Sequence, residues 1–290
     1  MPTPISPDIQ KLDHLLSSTE KKIAMLAPSF VVDFEYPKII TILRHLGFDK
    51  IVETTFGAKI VNECYKEFLS KNQSKSYISS PCPTLVALVE NKYPQYKENL
   101  MPFVSPMVAM GKVLKTHFPG YKVVFIGPCL TKKLEAKKFP QVIDIVITFS
   151  ELQQYLNNKN LRNIESNLEE KFDSLSTEAT KIYPLDGGMT ESMPADDLGC
   201  KDKIKIVNGL QNELKILSNF GTESQKFRFF DCLSCPGGCI GGPGMISKEP
   251  TQTKIQKVRN YLYQTTKEKD KWEEGKSEDT TGISFESNFN

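Results

Sequence analysis

The sequence predicts an α/β fold with two lobes, each a small and mainly parallel sheet flanked by helices, with a ligand site in the cleft between them. Two observations predict it. Short apolar runs typical of buried strands alternate with amphipathic segments of helical spacing, and this alternation is typical of parallel sheets. The 290 residues, 39% hydrophobic and 25% charged, are enough for a sizeable packed core.

Seven apolar runs have the length of strands and stand between turn-forming residues. They cover residues 23–27, 50–54, 76–80, 122–126, 143–149, 203–207 and 227–231. Each contains apolar residues in a short stretch, so we expect buried strands, as in parallel sheets.

The segments between the strands carry helix signals. Apolar residues recur at helical spacing over 39–46. Ser105 before Pro106 is typical of an N-cap and the first helical position. Ser150 with Gln153 predicts a capping box at the start of another helix.

The order of these elements suggests a division of the chain. We expect an N-terminal extension over 1–20, a first lobe over 21–115 and a second lobe over 116–250, with the seam near 111–121. Residues 251–266 predict a closing helix. Residues 267–290 are charged and then rich in Ser, Thr and Asn, which predicts a disordered tail.

Composition excludes several classes of function. A net charge of +2 gives no reason to expect nucleic acid or an anionic membrane as a partner. No apolar run reaches the roughly 20 residues that a membrane span needs, and residues 1–18 lack a secretion signal pattern. These features predict a cytoplasmic protein. Because disulfides rarely persist there, the seven cysteines need another explanation.

Three cysteines follow predicted strands. Cys82 comes after the third strand, Cys129 after the fourth and Cys235 after the seventh, and Cys239 lies four residues beyond Cys235. Ligands of open α/β sheets bind beyond the carboxyl ends of the strands. We therefore expect these four thiols to meet around one ligand.

Glycines around the last two cysteines indicate the kind of ligand. Their backbone can take left-handed angles and approach a bulky group closely, and their amides can donate to sulfide or anions. The Cys-x-x-x-Cys spacing is looser than the Cys-x-x-Cys of structural zinc sites. A four-thiolate 4Fe-4S cubane therefore fits better than zinc. The glycines are Gly237, Gly238, Gly241, Gly242 and Gly244.

The remaining cysteines and the histidines have simpler interpretations. Cys64 lies on the apolar face of a predicted helix and is expected to pack in the core. Cys200 sits in a polar loop and is expected to take no part. Cys232 lies either in the core or beside the ligand. The three histidines, His14, His45 and His117, are expected at the surface or at helix ends.

At these cysteines the sequence resembles the cofactor domain of di-iron hydrogenases, in its sensory form. The likeness lies in Ile-Ser-Ser-Pro-Cys-Pro at 78–83, Gly-Pro-Cys-Leu-Thr-Lys at 127–132 followed by Glu135, and Cys-Pro-Gly-Gly-Cys-Ile-Gly-Gly at 235–242. Ala-Pro-Ser at 27–29 is a weaker match. The segments occur in the family's order and extend the likeness over about residues 23–258.

The resemblance implies a specific cofactor, the H-cluster. A 4Fe-4S cubane would be ligated by Cys82, Cys129, Cys235 and Cys239. Cys239 would also bridge to a two-iron subcluster with carbonyl, cyanide and dithiolate ligands. This cofactor splits dihydrogen reversibly into protons and electrons, so Cys239 and Lys132 would be the catalytic residues.

The resemblance also implies the residues around the cofactor. Lys132 would donate to one cyanide, and Ser29 with its neighbours would contact the other. The residues expected to bind the cofactor are Ala27, Pro28, Ser29, Ser80, Pro81, Pro128, Lys132 and Gly238. The implied partners are dihydrogen and protons, an electron-transfer or signalling protein, and maturation proteins.

The sequence departs from catalytic members at several positions. The cysteine that relays protons just before the first ligand is replaced by Pro81, which has no exchangeable proton. Two methionines are replaced by Gly127 and Leu233, and the Ser-Pro-Gln-Gln segment is Ser-Pro-Met-Val at 105–108. No ferredoxin-like cysteine run is present in the sequence.

These departures favour a hydrogenase-like protein of low turnover that senses dihydrogen or redox state and passes the result to a partner. Two alternatives stay open. One is a catalytic hydrogenase subunit that receives electrons from a partner's clusters. The other is a non-enzymatic 4Fe-4S scaffold used for assembly or electron storage.

Overall fold

The computed structural model describes residues 6–161, 164–173, 179–193, 201–267 and 275–289. Each of the seven predicted strand positions contains a strand. The strands are β1 Lys22–Leu26, β2 Lys50–Glu53, β3 Tyr77–Ile78, β4 Lys122–Gly127, β5 Ile145–Thr148, β6 Ile204–Asn208 and β7 Phe229–Leu233. The apolar runs placed them correctly because all but β6 are mostly buried.

The helices occupy the segments between strands, as predicted. They are α1 Pro7–Ser17, α2 Lys38–His45, α3 Thr55–Lys71, α4 Pro83–Lys92, α5 Pro106–His117, α6 Lys132–Lys138, α7 Phe149–Asn158, α8 Gly188–Glu191, α9 Leu210–Ser218, α10 Phe220–Glu223 and α11 Thr251–Thr266. Ser105 is the N-cap of α5. The N-cap of α7 is instead Thr148, in a capping box with Glu151, because this helix follows β5 without a loop.

Two parallel sheets form the α/β architecture. The larger has the strand order β2-β1-β4-β5, and the smaller has the order β3-β7-β6. Every pair within them is parallel. The predicted fold class is confirmed.

The strands are not divided between the sheets in the way that a seam near 111–121 predicted. β3 precedes that region but pairs with β7, and β4 and β5 follow it but extend the sheet of β1 and β2. The region itself is largely helix α5, in which Gly111 is so tightly packed that a Cβ would lie 2.6 Å from Val142. Sheet partners are chosen by burial and register, which chain order does not reveal.

Both ends of the described chain pack on this core. Helix α1 buries Ile9, Leu12 and Leu15. In the tail, Phe285 is buried and its carbonyl accepts a 2.9 Å hydrogen bond from the Val104 amide. The expectation of disorder over 267–290 is therefore wrong for residues 275–289, because Ile283 and Phe285 pack in the larger core and Phe289 packs against the smaller one.

Within the described residues, no helix combines the length and the apolar character needed to cross a membrane.

Candidate functional site

The four predicted ligand cysteines line one cavity. Cys82 is the N-cap of α4 just beyond β3, and Cys129 follows β4. Cys235 follows β7, and Cys239 begins a short 3-10 turn. The cavity thus lies where the carboxyl ends of both sheets meet, so residues far apart in the sequence face each other across it.

The cavity has a volume of about 100 Å³, and residues that follow strands of both sheets line it. No three Cys, His, Asp or Glu side chains among the described residues stand close enough together to hold a single metal ion. The four thiols surround a volume rather than converge on a point.

Crowding of the thiols sets their electrostatics. Burial raises the pKa of Cys239 well above its ordinary value, and the neighbouring sulfurs of the other three cysteines raise it further. Burial and the nearby Cys82 and Cys129 raise the pKa of Cys235 to about 12. Four thiolates in this cavity would need a compensating positive charge, which bound iron would supply.

Hydroxyl groups lie close to the sulfur atoms of two of the cysteines. Thr131 Oγ1 lies 2.9 Å from Cys129 Sγ. Ser234 Oγ lies 3.3 Å from Cys82 Sγ and donates a 2.7 Å hydrogen bond to Glu213 Oε2. Glu213 is buried, and this burial raises the pKa of its carboxyl to about 7.

Two further hydroxyl groups at the cavity have no partner of their own. Ser29 Oγ and Tyr183 Oη are buried, and neither forms a hydrogen bond with any described residue. Both residues line the cavity. Because buried hydroxyls are almost always hydrogen-bonded, these two fit a bound group that offers acceptors. The cavity combines four thiols that can ligate iron, open volume between them, and two buried hydroxyls that can donate hydrogen bonds. This combination fits an iron–sulfur cofactor.

Lys132 brings a positive charge to the cavity wall. It begins α6, and its ammonium donates to Pro81 O at 3.1 Å and to Glu135 Oε2 at 2.6 Å. An ammonium has three donors, so one hydrogen remains for a ligand. Of the other residues expected at the cofactor, the wall includes Ala27, Pro28, Ser29, Pro81 and Pro128.

Ser80 and Gly238 were also expected to contact the cofactor, but they do not line the cavity. The Ser80 hydroxyl is turned away and donates to Met101 O at 2.8 Å. Gly238 has a φ of +88°, and a Cβ there would lie 2.4 Å from Pro184 O. Both residues shape the loops that carry the cysteines instead.

Among the described residues, the two other cysteines, Cys64 and Cys232, and the three histidines do not line the cavity. Cys64 is half-buried and packs against the larger core, and Cys232 is buried in the smaller one. Cys200 lies outside the described residues. All three histidines are exposed, as predicted.

Sequence reasoning did not find Tyr183, Ser234 or Glu213. Tyr183 belongs to a polar stretch without periodicity, and Glu213 reaches the site from helix α9. The Tyr-Pro pair followed by Gly187 and Gly188 was the one local signal of a tight, packed turn.

Known proteins similar to this chain include hydrogenases and iron–sulfur cluster assembly factors. A family described as iron only hydrogenase large subunit, C-terminal domain, matches residues 20–243. Iron hydrogenase 1 of Clostridium pasteurianum is 27% identical over 276 residues, covering 77% of this chain and 48% of that protein. A cytosolic Fe-S cluster assembly factor of Danio rerio is 21% identical over 279 residues, covering 74% of this chain and 67% of that protein.

Solved structures share the fold. A variant of the FeFe-hydrogenase HydA1 from Chlamydomonas reinhardtii superposes with a TM-score of 0.66 at 17% identity, covering 88% of each chain. The chain spans about half the length of the hydrogenases that it matches among curated proteins.

Proposed function

This chain belongs to the family formed by the C-terminal domain of the iron-only hydrogenase large subunit, and we propose that it holds a 4Fe-4S cluster together with a two-iron subcluster and responds to dihydrogen with low turnover. It is a hydrogenase-like iron–sulfur protein. One observation carries the proposal: beyond its four thiols, the cavity has a cationic side chain and two unpartnered buried hydroxyls. A cubane held by cysteines alone does not require these donors.

The chain's own groups have distinct tasks. Cys82, Cys129, Cys235 and Cys239 would hold the iron–sulfur cofactor, and Cys239 would serve as a ligand to both of its parts. When bound, this cofactor supplies the reversible cleavage of dihydrogen into protons and electrons. The ammonium of Lys132 and the hydroxyl of Ser29 orient the cofactor's outer ligands, and the buried wall excludes water.

Low turnover follows from the side chain before the first ligand. Pro81 lines the cavity, and its ring can neither donate nor accept a proton. A positioned general acid or base contributes about 100-fold or more to a rate. A site that lacks this group is suited to register dihydrogen rather than to consume it, and the signal would pass to an electron-transfer or signalling partner. Maturation proteins would supply the two-iron unit, and we propose a cytoplasmic location.

The test is infrared spectroscopy of the chain after reconstitution with iron, sulfide and a synthetic two-iron complex. Carbonyl and cyanide bands that shift under dihydrogen are the expected result. Cys129→Ser should lose iron and the bands, whereas Cys64→Ser removes a thiol remote from the cavity and should keep both. Carbonyl and cyanide bands that do not shift under dihydrogen would contradict the sensing role.

A second function, a cubane-only scaffold for iron–sulfur assembly or storage, has its own support. Pro81 removes the proton relay, and several relatives are named cytosolic Fe-S cluster assembly factors. Iron bound in a ratio of four per chain, with no carbonyl or cyanide bands after reconstitution, would favour the scaffold. Rapid hydrogen evolution with an artificial electron donor would favour a catalytic role.

A further inference from the structure

Tyr183 carries a buried phenol at the cavity with nothing to bond to. Tyr183 is one of the residues that line the cavity, and only 8% of it is exposed. Among the described residues, no group accepts or donates a hydrogen bond at its Oη. We propose that Tyr183 Oη donates a hydrogen bond to a sulfur acceptor of the iron–sulfur group beside Cys239 and thereby raises the reduction potential of the cluster. This inference rests on the proposed iron–sulfur function.

The backbone holds Tyr183 in register with Cys239. The Cys239 amide donates a 2.7 Å hydrogen bond to Pro184 O, and Leu185 forms an antiparallel bridge with Gly238. On the other side, the Tyr183 amide donates to Thr180 O at 3.1 Å. The tyrosine therefore sits in a fixed turn beside the ligand that would carry both parts of the cofactor.

In the cluster-free chain, the buried and unpartnered hydroxyl of Tyr183 lowers the stability of the folded state. A buried hydroxyl without a hydrogen bond loses its hydration and gains nothing in return. Phenylalanine would fill the same volume without that cost. Tyr65 shows the ordinary solution: its Oη accepts from the Ser80 amide at 2.7 Å and lies 2.8 Å from the Ser80 hydroxyl.

The phenol acts as a donor rather than as a base. Burial raises the pKa of Tyr183 well above its ordinary value, and nearby Tyr65 and Asp231 raise it further, so the proton stays on the oxygen. Hydrogen bonds to the sulfurs of an iron–sulfur cluster are among the factors that set its potential. A donor stabilises the more negative, reduced state and so raises the potential.

Two variants that each delete one buried hydroxyl test the inference. In the cluster-free chain, Tyr183→Phe should leave the unfolding midpoint unchanged or higher, whereas Tyr65→Phe should lower it. In the cluster-loaded chain, Tyr183→Phe should shift the reduction potential to a more negative value. Tyr65→Phe should leave the potential at the wild-type value. If that variant fails to fold, Tyr155→Phe replaces it as the control, because Tyr155 Oη donates to Asp13 Oδ1 at 2.7 Å and the residue does not line the cavity.

The outcomes separate this inference from the function on which it rests. A cluster-free Tyr183→Phe chain that is clearly less stable than wild type would show that the hydroxyl has a protein partner and would overturn the inference. A wild-type potential in the loaded variant would overturn it as well, with the iron–sulfur function intact. Failure of the wild-type chain to bind iron and sulfide would instead defeat the proposed function itself.

Discussion

The Lys132 ammonium donates a 3.1 Å hydrogen bond to the carbonyl oxygen of Pro81. This bond links the first turn of α6 to the loop before Cys82. The helix follows a strand of the larger sheet, and the loop follows a strand of the smaller sheet. Pro81, at the position where the resemblance implies a proton-relay cysteine in catalytic members, is thus held by the lysine expected to bind a cofactor ligand.

Lys132→Met should keep the cubane and lose the two-iron unit. The variant removes the free ammonium hydrogen at the cavity and leaves Glu135 without its 2.6 Å partner, at a cost of about 1–3 kcal/mol in stability. Iron analysis and infrared bands measure the two outcomes separately. Lys133→Met is the matched control, because Lys133 pairs with Asp8 and Glu151 away from the cavity. Intact carbonyl and cyanide bands in Lys132→Met would contradict the role of the lysine.

Pro81→Cys should raise hydrogen turnover by about 100-fold in the reconstituted chain, since it introduces a group that can carry a proton at the cavity wall. Pro81→Ala relaxes the backbone in the same way but supplies no proton, so it should stay at the wild-type rate. The measurement is hydrogen evolution with an artificial electron donor. Equal rates in both variants would mean that proton supply does not limit turnover.

Glu213→Gln should stabilise the cluster-free chain at neutral pH but not at low pH. Burial raises the pKa of Glu213 from 4.5 to about 7, so the folded state holds a proton that the unfolded state has released between those values. Folded-state stability therefore falls as pH rises through this window, by about 3 kcal/mol in total. The Glu213→Gln variant has no carboxyl to ionise at this position, so its stability does not fall in this way as the pH rises.

Urea unfolding at pH 4.5 and pH 7.5 measures the effect of Glu213→Gln. The variant and wild type should have similar free energies of unfolding at the lower pH, and the variant should be more stable at the higher pH. Glu98→Gln, at an exposed glutamate, is the control and should follow wild type. A stability difference that does not change with pH would refute the assignment to this carboxyl.

Gly238→Ala should destabilise the chain by about 3 kcal/mol or more and weaken cluster loading. The position has a φ of +88°, and the new Cβ would lie 2.4 Å from Pro184 O. Gly120→Ala separates the two causes, because Gly120 has a φ of +85° and open space around its Cβ position. It should cost only about 1 kcal/mol. Equal losses in the two variants would show that backbone strain, not contact with Pro184, explains the effect at Gly238.

The sequence by itself determined the strands and the positions of the four thiols. Burial of a strand on both faces requires a continuous apolar run, and such runs are visible locally. Cysteines that directly follow these runs must lie at strand exits, whatever the sheet order. The spacing of Cys235 and Cys239 and the glycines after them are also local features, and they were enough to predict the kind of ligand.

Only the tertiary structure decided which strands pair and which side chains face the cavity. β3 finds its partner β7 about 150 residues later, and residues 275–289 are held through Phe285. Ser80 turns from the cavity because backbone carbonyls compete for its hydroxyl, whereas Tyr183 reaches the cavity wall because Gly238 lets its turn approach Cys239. Local sequence fixes hydrophobic period and turn chemistry, but side-chain direction at a site depends on contacts between segments far apart in the chain.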